Sequence, residues 1–96
     1  MKKRITEHEK YLDESLKFLK ELDSISKKID KIRPKLQKLN EYYGSKEWFK
    51  DLKEYDKKKL KIKAGVLSED GVWNMNETLN ESLKELQTKI NEFLDK

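Results

Sequence analysis

Residues 42–73, YYGSKEWFKDLKEYDKKKLKIKAGVLSEDGVW, differ in composition from the sequence on either side of them. This central segment contains all three glycines, both tryptophans and three of the four tyrosines of the chain. Gly44 is suited to the left-handed conformation that ends a helix, and Ser45 is a good N-cap for the next one. We therefore expect a short helix over about 46–57, whose apolar residues recur at helical spacing: Trp48, Phe49, Leu52 and Tyr55.

The sequence before the central segment predicts a long helix over about 6–43. Thr6 and Glu9 match a capping box, so we expect this helix to begin near residue 6. Pro34 lies outside the apolar stripe and removes one backbone hydrogen bond, which predicts a kink rather than a break. The stripe itself has the alternating spacing of three and four residues of a coiled-coil seam: Leu22, Ile25, Ile29, Ile32, Leu36, Leu39 and Tyr43.

The sequence after the central segment predicts a second long helix, over about 69–95. Ser68 or Asp70 is expected to cap it. Because each of two apolar seams needs an apolar partner, we expect an all-α fold, an antiparallel hairpin of two long helices, with the short helix and an extended connection at one end. The second seam consists of Val72, Met75 or Asn76, Leu79, Leu83, Leu86, Ile90 and Phe93.

The length and the amino-acid composition of the chain restrict the class of protein. With 96 residues, of which 34% are apolar and 44% charged, we expect a single helical domain over residues 1–96 with a narrow core. There is no cysteine, which excludes disulfides and thiolate chemistry. No apolar run approaches the roughly 18 residues of a membrane span, and the N-terminal residues lack the features of a secretory signal. We therefore expect a cytoplasmic protein that does not enter a membrane.

The net charge of +4 is unevenly distributed. Residues 1–40 carry twelve Lys/Arg against seven Asp/Glu, residues 41–63 carry eight against five, and residues 64–96 carry three against seven. The first long helix is thus basic and the last is acidic. We interpret this asymmetry mainly as support for helix pairing.

No arrangement of residues predicts catalysis. A nucleophilic triad needs a base, and the one histidine, His8, is far in sequence from the central segment. The three glycines stand alone, so no phosphate-binding loop is predicted. We expect no enzyme activity and no cofactor. Four carboxylates are weak candidates for a metal site but are expected to cap helices and pair with lysines: Asp51, Asp56, Glu69 and Asp70.

The lysines of the connection offer an alternative function. Five of them could bind a phosphate backbone, with tyrosine or tryptophan rings stacking on bases. The chain has only two arginines, which are the residues that make bidentate contacts to phosphates and bases, and this weakens the hypothesis. The candidate residues for anion or nucleic-acid binding are Lys57, Lys58, Lys59, Lys61 and Lys63.

The aromatic residues support the leading hypothesis, a non-enzymatic module that binds another protein as an adaptor, regulator or inhibitor. Tryptophan and tyrosine dominate interface hot spots, although the same rings could instead close the end of the hairpin as a core. An exposed seam would favour self-association or a helical partner. The candidate protein-binding residues are Tyr42, Tyr43, Trp48, Tyr55 and Trp73.

The central segment also resembles a bacterial family of small helical proteins that is a domain of unknown function. Two blocks carry the resemblance, Tyr-Tyr-Gly-Ser followed by Trp48, Asp51 and Asp56, and then Gly-Val-Leu-Ser-Glu-Asp over residues 65–70. The connection between them, Lys57 to Lys63, is richer in lysine than the family pattern. The resemblance implies a recurring central unit in a single domain, and it implies no activity.

Overall fold

The computed structural model describes residues 1–95 and is all-α within them, as predicted. Helix α1 spans Lys2–Tyr42, α2 spans Lys46–Lys58 and α3 spans Gly71–Leu94. A 3-10 turn at Gly65–Leu67 lies between α2 and α3, and residues 1–95 contain no strand. The predicted order of a long helix, a short helix, a connection and a second long helix is confirmed, and the connection that we expected to be extended contains the 3-10 turn.

Helix α1 begins four residues earlier than predicted, at Lys2. Thr6 does not cap it, because its hydroxyl donates to the carbonyl oxygen of Lys2, 3.0 Å away, one turn back inside the helix. The capping-box interpretation of Thr6 and Glu9 was therefore wrong. A threonine within a helix commonly makes this bond to the carbonyl four residues before it.

Helix α1 continues through Pro34 without interruption. Proline removes the amide that would bond to the carbonyl of Asp30, but the hydrogen bonds before and after it maintain the helix. The preference for a continuous helix over a break is confirmed. The bend at Pro34 stays a prediction.

The turn between α1 and α2 forms as its residues predict. Gly44 has φ = 79°, in the left-handed region, and the amide of Tyr43 donates to the carbonyl of Leu39 at 2.9 Å. The Ser45 hydroxyl then accepts a hydrogen bond from the Trp48 amide at 3.2 Å, which makes Ser45 the N-cap of α2. Both roles assigned to these residues from the sequence are confirmed.

The start of α3 and the end of α2 show which residues cap these two helices. At the start of α3 the Ser68 hydroxyl accepts from the Gly71 amide at 3.0 Å, whereas the Asp70 side chain makes no capping bond. At the end of α2, Lys59 is left-handed, with φ = 49°, and its amide donates to the carbonyl of Tyr55. A lysine in this position was not predicted, since glycine usually occupies it.

By their contacts the residues form two compact units, Met1–Lys38 and Leu39–Lys96, of which the second is described to residue 95. The first unit contains α1 as far as Lys38, the end of α1 belongs to the second unit, and α1 has no buried residue. In the second unit the core is small and consists of Trp48, Leu67 and Val72, one residue from each of α2, the 3-10 turn and α3.

Candidate functional site

Trp48 is the centre of the second unit and is only 4% exposed. Its indole nitrogen donates to the carbonyl oxygen of Val66 at 2.9 Å, which connects α2 to the 3-10 turn. Its ring meets the rings of Tyr43 and Phe49 edge-to-face, with centroids 5.4 Å and 4.9 Å away. Trp48 is therefore a core residue of the second unit, and its ring is covered by residues of its own chain.

Tyr43 is half-buried and joins sequence-distant parts of the same unit. Its hydroxyl donates to the backbone carbonyl of Glu69, 26 residues away, just before α3 begins. In α3 itself, the side-chain amide of Asn76 donates to Asn40 Oδ1 at 2.8 Å. These two bonds attach the start of α3 to the last residues of the first helix and the turn that follows.

Tyr42 faces α2 instead. Its hydroxyl donates to Asp51 Oδ2 at 2.7 Å. This hydrogen bond raises the pKa of Tyr42 above its ordinary value, and desolvation and the negative charge of Asp51 raise it further. The physical cause is that ionisation of the phenol would remove the donated proton and place two negative charges side by side.

A cavity of about 260 Å³ lies beside this pair. Its walls include Tyr42 and Tyr55, together with Leu60 and Ile62 of the connection. Charged groups at Asp51, Glu54 and Lys63 also line it. Its volume is just below the range of about 300–1,000 Å³ that is typical of small-ligand sites.

Trp73 differs from Trp48 because it is 57% exposed. It lies in the first turn of α3, next to the buried Val72, so its ring points away from the face that joins the core. Phe49, which follows Trp48 in α2, is similarly exposed. Sequence reasoning did not include Phe49 in the site, although adjacent positions on a helix face different directions and Trp48 and Phe49 cannot both be core.

The structure thus divides the five predicted aromatic residues into three groups. Trp48 is buried, Tyr42, Tyr43 and Tyr55 are half-buried, and Trp73 is exposed. Among these five residues, Trp73 is the one whose ring is more than half exposed.

The five candidate lysines follow the end of α2. Lys57 and Lys58 form its last turn, Lys59 is the left-handed residue after it, and Lys61 and Lys63 lie in the connection. All five are exposed, and within residues 1–95 none of them forms a salt bridge. Their charges are therefore available to an anion.

The candidate carboxylates do not converge. Asp51 accepts from Tyr42, and residues 1–95 contain no group of three or more His, Asp or Glu side chains that could hold a metal ion. All four carboxylates considered for a metal site are exposed: Asp51, Asp56, Glu69 and Asp70.

His8 has the surroundings of an exposed helix residue. Its Nδ1 lies 2.7 Å from the carbonyl oxygen of Arg4, and its ring contacts Tyr11 edge-to-face with centroids 5.5 Å apart.

Within residues 1–95, no helix is long and apolar enough to cross a membrane.

Comparison with known proteins gives one result. No curated protein and no solved structure matches the chain. A family described as a domain of unknown function, DUF4298, matches residues 5–93, which is nearly the whole length. The central segment predicted membership of a domain-of-unknown-function family, and this prediction is confirmed. The chain belongs to the DUF4298 family.

Proposed function

We propose that this chain is a non-enzymatic helical module of the bacterial cytoplasm that binds another protein, as an adaptor, regulator or inhibitor. The observation that supports this proposal is the contrast between the two tryptophans. Trp48 is buried and hydrogen-bonded, so its ring is used within the core of the second unit. Trp73 is more than half exposed and adds little to that core.

The exposed ring of Trp73 favours a protein partner on energetic grounds. Covering an aromatic side chain of this size contributes about 2–3 kcal/mol at roughly 25 cal/mol per Å² of apolar area. Tryptophan is also the residue most enriched in interface hot spots. The cavity between Tyr55 and Ile62 supplies a second point of contact, into which one apolar side chain of the partner inserts.

The test separates loss of binding from loss of fold. Proteins retained from host extract by the wild-type chain are identified, and the Kd of the chosen partner is then measured by calorimetry. We expect Trp73→Ala to weaken binding by at least about tenfold, the size of a typical hot-spot effect. Its circular dichroism should match that of the wild type.

The matched control is Leu94→Ala, which removes another exposed apolar side chain, at the far end of α3. It should bind like the wild type. A Trp73→Ala variant that binds every retained protein as tightly as the wild type does would contradict the proposal. Trp48→Ala is unsuitable as the test variant, because unfolding would imitate loss of contact.

A second candidate function, nucleic-acid binding, is favoured by the five exposed lysines without carboxylate partners within residues 1–95. If they bind phosphates, affinity for single or double strands should fall steeply with salt. Replacement of Lys57, Lys58 and Lys59 by Gln should then reduce the slope of log K against log salt by about 3, one for each phosphate contact. Absence of binding at low salt would eliminate this alternative.

A further inference from the structure

Helix α1 carries an apolar stripe that its own unit leaves uncovered. The α1 stripe is defined here as Phe18, Leu22, Ile25, Ile29, Ile32 and Leu36, at spacings of 4, 3, 4, 3 and 4 residues. Leu36 is half-buried, and the other five are between 42% and 52% exposed. This spacing keeps all six on one face of the helix, which is the pattern of a seam that packs against another helix.

The α1 stripe is an apolar patch of the size that marks interfaces. Its five half-exposed side chains leave on the order of 400 Å² of mostly apolar surface uncovered on each copy, within the range of about 300–600 Å² typical of functional patches.

The charged residues at the edges of the stripe favour one direction of pairing between two copies of α1. Glu21, Lys28 and Lys35 are seven residues apart and precede Leu22, Ile29 and Leu36 along one edge. Ser26 and Arg33 lie along the other edge. In a parallel pair of α1 helices, Lys28 would face Arg33 of the second copy on both sides of the seam, which is repulsive.

In an antiparallel pair of α1 helices, opposite charges meet along the edge of the stripe. When Ile25 packs against Ile29 of the second copy, Leu22 meets Ile32 and Phe18 meets Leu36, so all six stripe residues of each helix are used. The same register places Glu21 beside Lys35 of the second copy, twice by symmetry. One unfavourable contact remains, between the two Lys28 side chains at the two-fold axis, where long exposed lysines can turn apart.

We propose that a second copy of this chain covers the α1 stripe, with the two α1 helices antiparallel and Glu21 of each copy paired with Lys35 of the other. The interface is isologous, as in most homodimers. It uses the first unit alone, so it goes beyond the partner binding assigned to Trp73 and either can fail without the other.

Charge reversal tests both the occupant and the direction. Glu21→Lys and Lys35→Glu each create two repulsive pairs, whereas the double variant restores attraction. Glu21 and Lys35 are 14 residues apart on one helix, roughly 21 Å, so they cannot meet within a chain. In sedimentation equilibrium we expect a wild-type dimer, about tenfold weaker dimerisation in each single variant, and restoration in the double variant.

The absence of native cysteine allows a second, independent measurement. Ser26 of the two copies lies near the two-fold axis in the antiparallel register, so Ser26→Cys should be crosslinked into a covalent dimer by a short bismaleimide. Ser24→Cys is the matched control, because position 24 lies on the face away from the stripe and should give monomer. Both variants should retain the helical circular dichroism of the wild type.

Three results would overturn the proposal. The first is a strict monomer at high concentration, which includes the case in which only an unrelated helical protein covers the stripe. The second is a dimer whose weakening by the single charge reversals is not reversed in the double variant. The third is crosslinking of Ser24→Cys as efficiently as of Ser26→Cys.

Discussion

The indole nitrogen of Trp48 lies 2.9 Å from the carbonyl oxygen of Val66 and donates a hydrogen bond to it. Val66 lies within the 3-10 turn, 18 residues further along the chain. This bond fixes the turn against α2 and leaves the neighbouring Leu67 buried beside the same core. The small core of the second unit therefore depends on one side chain that is both packed and hydrogen-bonded.

Trp48→Ala should lower the free energy of unfolding of the second unit by about 3–5 kcal/mol, because it leaves a large cavity. Trp48→Phe keeps an aromatic ring but leaves the Val66 carbonyl without its donor, and should lose about 1–3 kcal/mol. Urea unfolding followed by near-ultraviolet circular dichroism measures both. Phe49→Ala is the control for an exposed ring in α2, and a loss as large as that of Trp48→Ala would contradict the assignment of the core.

Tyr43→Phe removes the hydroxyl that donates to the Glu69 carbonyl. Since the ring remains, packing against Trp48 is retained and only the hydrogen bond is lost. We expect a loss of about 0.5–1.5 kcal/mol and faster exchange of the backbone amides at the start of α3. Tyr11→Phe, which removes an exposed tyrosine hydroxyl from α1, should leave those amides unchanged; equal exchange in both variants would show that the Tyr43 bond does not hold α3.

The Tyr42–Asp51 pair should make stability depend on alkaline pH. The pKa of Tyr42 is raised in the folded state, chiefly by its hydrogen bond to Asp51, so the pair's contribution is complete below the unfolded pKa of about 10. It is lost as pH rises through the folded pKa. Absorbance titration of tyrosinate should show one tyrosine ionising late in the wild type and earlier in Asp51→Asn.

The matched control for this pH dependence is Tyr42→Phe, which has no phenol to ionise. Its stability should fall less than that of the wild type between neutral and strongly alkaline pH, with the lysines affecting both chains alike. Identical alkaline profiles for the wild type and Tyr42→Phe would show that the pair contributes nothing measurable.

Gly44→Ala should destabilise the chain by about 1 kcal/mol, because alanine is strained in the left-handed conformation. A Cβ at this position would meet no atom within 4 Å beyond the two neighbouring residues, so the expected loss comes from the backbone alone. Gly65→Ala is the matched control, since that site is also open but lacks a positive φ. Thermal unfolding of the two variants should differ by this amount, and equal Tm values would contradict the role of Gly44.

Local chemistry explains the parts of the fold that could be predicted. Gly44 and Ser45 define a helix end and a helix start within two residues, because a left-handed backbone and a capping hydroxyl act on atoms only one turn away. The same reasoning failed at Thr6, since a threonine hydroxyl can bond to a carbonyl inside a helix as readily as it caps one. Lys59 was missed because glycine is the usual residue in the left-handed position that ends a helix, and a lysine there carries no sequence signal.

The candidate site shows where prediction from the sequence ended. Its aromatic residues were recognised by composition, but composition treats Trp48 and Trp73 as equivalent. Their difference arises from a turn 18 residues away that covers one ring and leaves the other exposed. Phe49 was overlooked for a related reason, because its exposure depends on which face of α2 the turn contacts.

The sequence by itself determined that the chain is all-α, where its helices pass into turns, and that its long helices carry apolar stripes, since these properties follow from periodicity and from capping within one turn. Only the tertiary structure decided that Trp48 is core and Trp73 surface, and that the Tyr43 hydroxyl donates to the carbonyl of Glu69. The physical reason is that burial and hydrogen-bond partners depend on residues far apart in the chain, whose approach no local pattern specifies.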